Sequence, residues 1–193
     1  MSNRTMFSGT FYRGMAAACA GHLLTPSSEG TFGSGVYLAD FAAATLYADD
    51  GFVGQFAVRM DKPYHYSVPH DDSDFGDMPG IPLVKELFPL EGERMVADAV
   101  SRDSYYFGSE IEEAIVQLGF DGLVVTYYDG SQEIVALRNT RLCFDDLWAP
   151  RGEQIENATR ITPLFLRDHL KHGITIQQWL PKQCPEKLFA SAS

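Results

Sequence analysis

The stretch "GTFGSGVYLADFAAATLYA", residues 30–48, joins a glycine-rich turn, a short strand and a helix, and it decides the fold class. Glycines suit a tight turn, "VYLA" predicts the strand that follows, and Asp40 is a suitable N-cap for a helix over "FAAATLYA". Tyr37 and Tyr47 stand on either side of this strand-to-helix turn. Each tyrosine could be a core residue, or the two could line one face of a pocket that accepts a flat ring.

The flanking sequence predicts short strands early and late in the chain. Residues 10–15 and "FVGQFAVRM" (52–60) predict strands, and the chain stays extended through "DKPYHYSVP" (61–69). Near the other end, "LVVTYY" and "EIVAL" flank Asp129-Gly130, a strong signal for a hairpin turn between antiparallel strands. "RLCFDDLW" predicts one more strand after that hairpin.

Helical segments lie between these strands. "AAACAGHLL" (16–24) predicts a helix, and residues 81–103 carry a helical pattern that "PLEG" breaks into two pieces. Ser109 and Glu112 predict a capping box at the start of a further helix. Strands at both ends with helices between them favour an α+β fold.

The composition is that of a folded, acidic protein. Of 193 residues, 45% are apolar, which supports one domain with a substantial core. The formal net charge of −11 disfavours nucleic acid as a partner, because such binding depends on Lys and Arg neutralising phosphates. No apolar run approaches the roughly 20 residues of a membrane helix, so we expect no membrane partner.

Cysteine usage and the N-terminal sequence bear on the compartment. The three cysteines, Cys19, Cys143 and Cys184, are odd in number and widely spaced, which argues against a disulfide framework and against a zinc site. The first residues lack an apolar h-region, so we expect no signal peptide. The sequence therefore predicts a reducing, cytoplasmic location and no metal, although a dedicated secretion system could deliver the protein into a target cell.

The character of the sequence changes after Pro150. Residues 1–150 are predicted to form the main domain. Residues 151–193 begin with a polar, loop-like stretch and continue with a helical pattern. We therefore expect a helical appendage packed on the same domain.

Three motifs together resemble a known family. They are "FYRGM" with Tyr12, Arg13 and Gly14, the central "FGSGVYLADFAAATLYA", and "QEIVAL" with Glu133. The combination resembles the NAD-dependent ADP-ribosyltransferases of the diphtheria-toxin and poly(ADP-ribose) polymerase branch, over residues 10–140 with a gap around 64–105. The ending "GFDGLVVTYYDGSQEIVAL" is also similar to phage-borne and effector relatives, which implies a bacterial toxin or effector.

The resemblance implies a split antiparallel β-sandwich with flanking helices, in which NAD lies in the cleft between the two sheets. A Rossmann fold fits badly, because no strand leads into a Gly-x-Gly-x-x-Gly helix start. One position departs from the branch, since Arg13 stands where the branch has His. The arginine-first branch of the family continues with Ser-Thr-Ser and Glu-x-Glu, whereas here Ser131 lies two residues before Glu133.

The matched motifs assign roles to individual residues. Cleavage of the nicotinamide–ribose bond passes through an oxocarbenium-like transition state, which a carboxylate stabilises, and Glu133 is the catalytic candidate. The residues assigned to NAD binding are Tyr12, Arg13, Gly14, Gly35, Tyr37 and Tyr47. Tyr37 and Tyr47 would sandwich the nicotinamide ring. The backbone of Gly14 would hold the amide of that ring, and Arg13 would contact the pyrophosphate or the adenosine ribose.

Three functions stay open at this stage. The first is mono-ADP-ribosyl transfer from NAD to a protein acceptor. An NAD glycohydrolase would use the same cleft and let water attack, and an inactive transferase fold would serve as a binding module. Glu133 weighs against the binding module, and the sequence does not name the acceptor.

Overall fold

The structure is a computed structural model, and it describes residues 6–16, 22–23, 25–49, 51–69 and 78–161. Within these ranges the fold is α+β, with two four-stranded sheets and four α-helices. The strands are β1 (Phe7–Met15), β2 (Val36–Leu38), β3 (Phe52–Met60), β4 (Pro63–Ser67), β5 (Gly122–Thr126), β6 (Gln132–Ala136), β7 (Arg141–Ala149) and β8 (Thr159–Ile161). The helices are α1 (Phe41–Ala48), α2 (Gly80–Leu87), α3 (Gly92–Ser101) and α4 (Ser109–Gln117).

The chain divides into two compact units, which we describe separately. The glutamate unit contains the described residues within 26–37 and 61–139 and includes Glu133. The arginine unit contains those within 6–25, 38–60 and 140–161 and includes Arg13. The predicted sandwich of the two sheets stays a prediction.

The sheet of the glutamate unit has the strand order β2-β6-β5-β4. β5 and β6 form the predicted antiparallel hairpin, with Val125 opposite Glu133. β4 and β5 are parallel, contrary to the expectation of antiparallel strands throughout. A parallel pair needs a long crossover connection, and the segment carrying α2, α3 and α4 supplies it.

A hydrophobic core stabilises the glutamate unit. It joins the apolar faces of the helices to the inner face of the sheet. Its fully buried members include Phe32, Leu83, Ile111, Ile115, Leu123 and Val135. The sheet and the preceding glycine-rich turn are therefore anchored on the same core.

The sheet of the arginine unit has the order β1-β3-β7-β8 and is antiparallel throughout. Helix α1 begins where the sequence predicted, because the carboxylate of Asp40 accepts a hydrogen bond of 2.7 Å from the N–H of Ala43. The helix lies close against β1 at Gly14. A Cβ there would collide with the backbone oxygen of Ala44 and would lie 2.8 Å from the nitrogen of Ala48.

The predicted C-terminal appendage is only partly described. Residues 159–161 form β8, which pairs with β7 and extends the sheet of the arginine unit. Residues 162–193 lie outside the described residues, as does most of the predicted helix over 16–24. The helical appendage accordingly stays a prediction.

Two local predictions are wrong. The capping box is absent, because the N-cap of α4 is Gly108, whose N–H donates to Glu110 Oε1 at 2.9 Å, while the carboxylate of Glu112 binds elsewhere. Cys143 on β7 is disulfide-bonded, which its wide sequence spacing from the other cysteines did not predict.

No helix among the described residues is long and apolar enough to cross a membrane.

Candidate active site

The glycine-rich turn before β2 is held by paired backbone hydrogen bonds. Ser27 and Gly35 bond to each other in both directions, at 2.8 and 3.0 Å. Gly30 and Phe107 do the same, at 3.0 and 2.9 Å. Gly35 has a φ of +151°, and a Cβ there would lie 2.5 Å from a methyl group of Val135, so glycine is required where the turn meets β6. The turn thus enters β2 in one fixed conformation.

This turn fixes the side chain of Tyr37. Its hydroxyl donates to the carbonyl of Gly33 at 2.7 Å and accepts from the N–H of Phe32 at 2.9 Å. The ring lies against Gly30, where a Cβ would come within 2.7 Å of the ring carbon Cζ. The orientation of the ring is therefore set by the backbone of its own turn, before any ligand binds.

Glu133 lies half-buried on β6. Its Oε2 accepts a hydrogen bond of 2.7 Å from the hydroxyl of Tyr127. Burial raises the pKa of Glu133 above its ordinary value, and the Tyr127 hydroxyl partly offsets this by favouring the charged form. Among the described residues no donor contacts Oε1, so one oxygen is oriented by the protein and the other can meet a substrate.

Glu133 and Tyr37 are electrostatic neighbours within the glutamate unit. Burial is the main cause of the raised pKa of Tyr37, and the charges of Glu133 and Tyr106 raise it further. The Tyr37 hydroxyl therefore stays protonated at neutral pH. The glutamate unit thus contains a desolvated carboxylate together with Tyr37, Tyr106 and Tyr127, and the predicted roles of Tyr37 and Glu133 stay predictions.

The sequence reasoning missed Tyr106 and Tyr127. Tyr127 follows β5, whose register places Val125 opposite Glu133, so Tyr127 is the diagonal neighbour of Glu133 across the hairpin. The predicted hairpin could have indicated Tyr127, because the length of the hairpin turn fixes which residues of the two strands face each other. Tyr106 is 48% exposed and precedes Phe107, which pairs with the turn under Tyr37; no sequence signal indicated that contact.

Ser131, two residues before Glu133, belongs to the hairpin turn. Its hydroxyl donates to Asp129 Oδ1 at 2.6 Å, and its N–H donates to the same oxygen at 2.9 Å. The side chain therefore stabilises the turn in this structure and is already engaged.

Arg13 is a desolvated cation in the arginine unit. Its Nη1 donates to the carbonyls of Leu23 and Thr25, at 3.0 and 2.8 Å. Burial lowers the pKa of Arg13 to about 10, which leaves it charged at neutral pH. In the described part of the chain no carboxylate pairs with it, and its Nε and Nη2 have no hydrogen-bond partner. Two carbonyls thus orient the guanidinium through its Nη1.

Tyr12 and Gly14 lie on one edge of β1. The backbone N–H and C=O of Tyr12 form hydrogen bonds with Ala39, at 2.8 and 2.9 Å. Its ring packs edge-on against that of Phe41, with 5.3 Å between the ring centroids. Because backbone groups alternate sides along an antiparallel strand, the N–H and C=O of Gly14 point to the same edge as those of Tyr12, away from β3. Gly14 therefore offers one donor and one acceptor at that edge.

Tyr47 lies on the last turn of α1 in the arginine unit and is 74% exposed. No slot encloses its ring among the described residues. Its predicted role in binding nicotinamide with Tyr37 stays a prediction.

Within the described ranges, no three His, Cys, Asp or Glu side chains are grouped so that they could hold a metal ion.

No protein-family model and no curated protein matches the chain. Among solved structures it is similar to an anti-CRISPR protein, with 15% identity and a TM-score of 0.35 over 72% of this chain and 96% of that one. It is also similar to the MbcT–MbcA toxin–antitoxin complex of M. tuberculosis, with 16% identity and a TM-score of 0.34 over 86% of this chain and 90% of that one. Such distant likenesses assign no activity, so the function must be argued from the residues.

Proposed function

We propose that this protein cleaves NAD at the nicotinamide–ribose bond and transfers ADP-ribose to a protein acceptor. The observation that carries the proposal is Glu133, a desolvated carboxylate held on one oxygen by Tyr127 at 2.7 Å, in the same unit as Tyr37. Tyr37 and Glu133, which come from two of the three motifs, belong to the same unit of the protein.

The reaction needs a negative charge beside the ribose. The bond between C1′ and the nicotinamide nitrogen breaks, its electron pair leaves with neutral nicotinamide, and positive charge develops on the ribose ring. A carboxylate in a desolvated site stabilises that charge more strongly than it would in water. A nucleophile of the acceptor then bonds to C1′ and loses its proton. Glu133 Oε1 is the atom we assign to the developing cation or to the attacking nucleophile.

Nicotinamide is flat and carries one amide, and each feature needs its own binding group. The ring of Tyr37 is pre-oriented, so stacking against it loses little side-chain entropy. The resemblance of the Gly14 motif is our reason for assigning the amide to the N–H and C=O of Gly14.

The phosphates of NAD need a cation in a protein of net charge −11. We assign them to Arg13, because its guanidinium is oriented by two carbonyls and no described carboxylate neutralises it. A guanidinium binds two phosphate oxygens at once, which an ammonium cannot do.

The deciding experiment incubates the purified protein with NAD labelled in the adenylate part, with and without a bacterial lysate. Label entering protein together with released nicotinamide supports transfer. Release of nicotinamide with all label remaining as free ADP-ribose assigns the chain as an NAD glycohydrolase. Binding of NAD without release of nicotinamide in either mixture would contradict both activities and favour a binding module.

A further inference from the structure

The carboxylate of Glu112 on α4 bridges two segments of the glutamate unit. Its Oε2 accepts from the hydroxyl of Ser34 at 2.9 Å, and its Oε1 accepts from the backbone N–H of Arg138 at 3.1 Å. Ser34 is 8% exposed and lies in the turn that leads into Tyr37. Arg138 lies two residues beyond the end of β6, the strand that carries Glu133.

The location of this bridge bears on the geometry of the candidate site. Ser34 stands three residues before Tyr37, and its N–H is also bonded to the carbonyl of Gly108, at the start of α4. One carboxylate thus ties the turn that orients the tyrosine to the strand that carries the catalytic candidate. Removing it would leave the buried Ser34 hydroxyl and the Arg138 amide without this acceptor.

We propose that Glu112 is a positioning residue. Through its bridge between Ser34 and Arg138, it holds Tyr37 and Glu133 in the relative positions that NAD cleavage requires. The proposal rests on the proposed function for its catalytic part, and on the two hydrogen bonds for its structural part. Both carboxylate oxygens of Glu112 are engaged by Ser34 and Arg138, so its effect passes through the turn and the strand.

Two substitutions of Glu112 separate the effect of its hydrogen-bond bridge from the effect of its negative charge. Glu112→Ala removes both acceptors, and we expect kcat to fall about ten- to a hundredfold, since small misplacements of reacting groups cost that much. Glu112→Gln can accept from Arg138 through its oxygen and donate to the Ser34 hydroxyl through its nitrogen. It should therefore recover most of kcat. Glu113→Ala, on the exposed neighbouring position of α4, is the matched control and should behave as the wild type.

Hydrogen exchange gives a readout that does not depend on activity. In Glu112→Ala we expect the amides of residues 33–37 and of Arg138 to exchange about tenfold faster, while amides of the β5–β6 ladder keep their protection. Ser34→Ala should speed up amide exchange in the turn but not at Arg138. In the turn, the double variant Ser34→Ala/Glu112→Ala should exchange no faster than Glu112→Ala alone. A general rise in exchange would indicate lost stability and would contradict a positioning role.

The two proposals fail in different ways. If the wild type releases no nicotinamide, the proposed function is wrong, and the exchange data still decide whether Glu112 fixes the turn and the strand. If the wild type is active and Glu112→Ala keeps its kcat, or if exchange in residues 33–37 and at Arg138 is unchanged, the positioning role is wrong. Faster exchange at these segments, together with reduced kcat and rescue by Gln, supports it.

Discussion

The two units hold their candidate residues in different ways. In the glutamate unit, the backbone of the glycine-rich turn orients Tyr37, and the Tyr127 hydroxyl orients Glu133. Burial raises the pKa of both groups, nearby charges raise that of Tyr37 further, and the Tyr127 hydroxyl lowers that of Glu133. In the arginine unit, backbone carbonyls orient Arg13, and burial alone lowers its pKa. Substitutions in the first unit should therefore change the chemical step, and substitutions in the second should change binding or stability.

The largest effect is expected at Glu133. Glu133→Gln keeps an oxygen that can accept from Tyr127 but removes the negative charge. Turnover of NAD should fall by about 10²–10³, the usual loss for one preorganised electrostatic contact, while the Kd for NAD stays nearly constant. Steady-state kinetics and calorimetry measure the two quantities. Retention of more than about a tenth of the wild-type rate would show that the charge of Glu133 does not stabilise the transition state.

Arg13 tests the expectation that substitutions in the arginine unit change binding. Arg13→Ala should raise the Kd for NAD about ten- to a hundredfold, because a charge-assisted hydrogen bond contributes about 1.5–3 kcal/mol. Free nicotinamide has no phosphate and should bind almost as before. Arg13→Lys should recover only part of the affinity, since an ammonium cannot fork across two oxygens. Equal weakening of nicotinamide and NAD would mean that Arg13 only holds Leu23 and Thr25 in place.

Substitution of Gly14 should lower the free energy of unfolding. Gly14→Ala places a methyl group against the backbone of Ala44 and Ala48, so α1 must move away from β1. Overpacking of this kind destabilises by about 1–3 kcal/mol, measured by urea unfolding. Gly9→Ala on the same strand is the matched control, because its Cβ would meet only the edge of the Phe11 ring, 2.8 Å away, which can turn aside. Equal stability of the two variants would contradict the close packing of α1.

The smallest effect is a pH-dependent gain in stability in Glu133→Gln. Burial raises the pKa of Glu133 in the folded chain, so the folded state binds its proton more tightly than the unfolded state. Stability is lost as the pH rises above the ordinary glutamate pKa and through the raised one. Glu133→Gln should therefore have a higher Tm than the wild type at about pH 7, and the difference should vanish at about pH 4. An equal Tm difference at both values would exclude ionisation as its cause.

Local signals in the sequence predicted much of the fold. The bounds of β3 and α1, the Asp40 cap, the break between α2 and α3 and the turn at Asp129-Gly130 are all confirmed. Each depends on residues within a few positions of one another, where propensity and turn chemistry act directly.

Contacts between distant segments could not be predicted in this way. Glu112 has the spacing of a capping box, yet its carboxylate reaches Ser34, 78 positions away in the sequence. The parallel pairing of β4 with β5 depends on how three helices pack, and the disulfide at Cys143 depends on a spatial approach. The candidate site shows the same limit of prediction from sequence. The motifs indicated Tyr37 and Glu133, but not Tyr106 and Tyr127, which shift their pKa values.

The central claim is that an ionised Glu133, held by Tyr127, drives cleavage of NAD. The most direct test is the pH dependence of the single-turnover rate of nicotinamide release. We predict an acid limb at a pH above the ordinary glutamate pKa. In Tyr127→Phe the limb should move to still higher pH, since the hydroxyl that favours the charged carboxylate is gone, and in Glu133→Gln it should disappear. An acid limb that stays at the same pH in all three proteins would contradict the account.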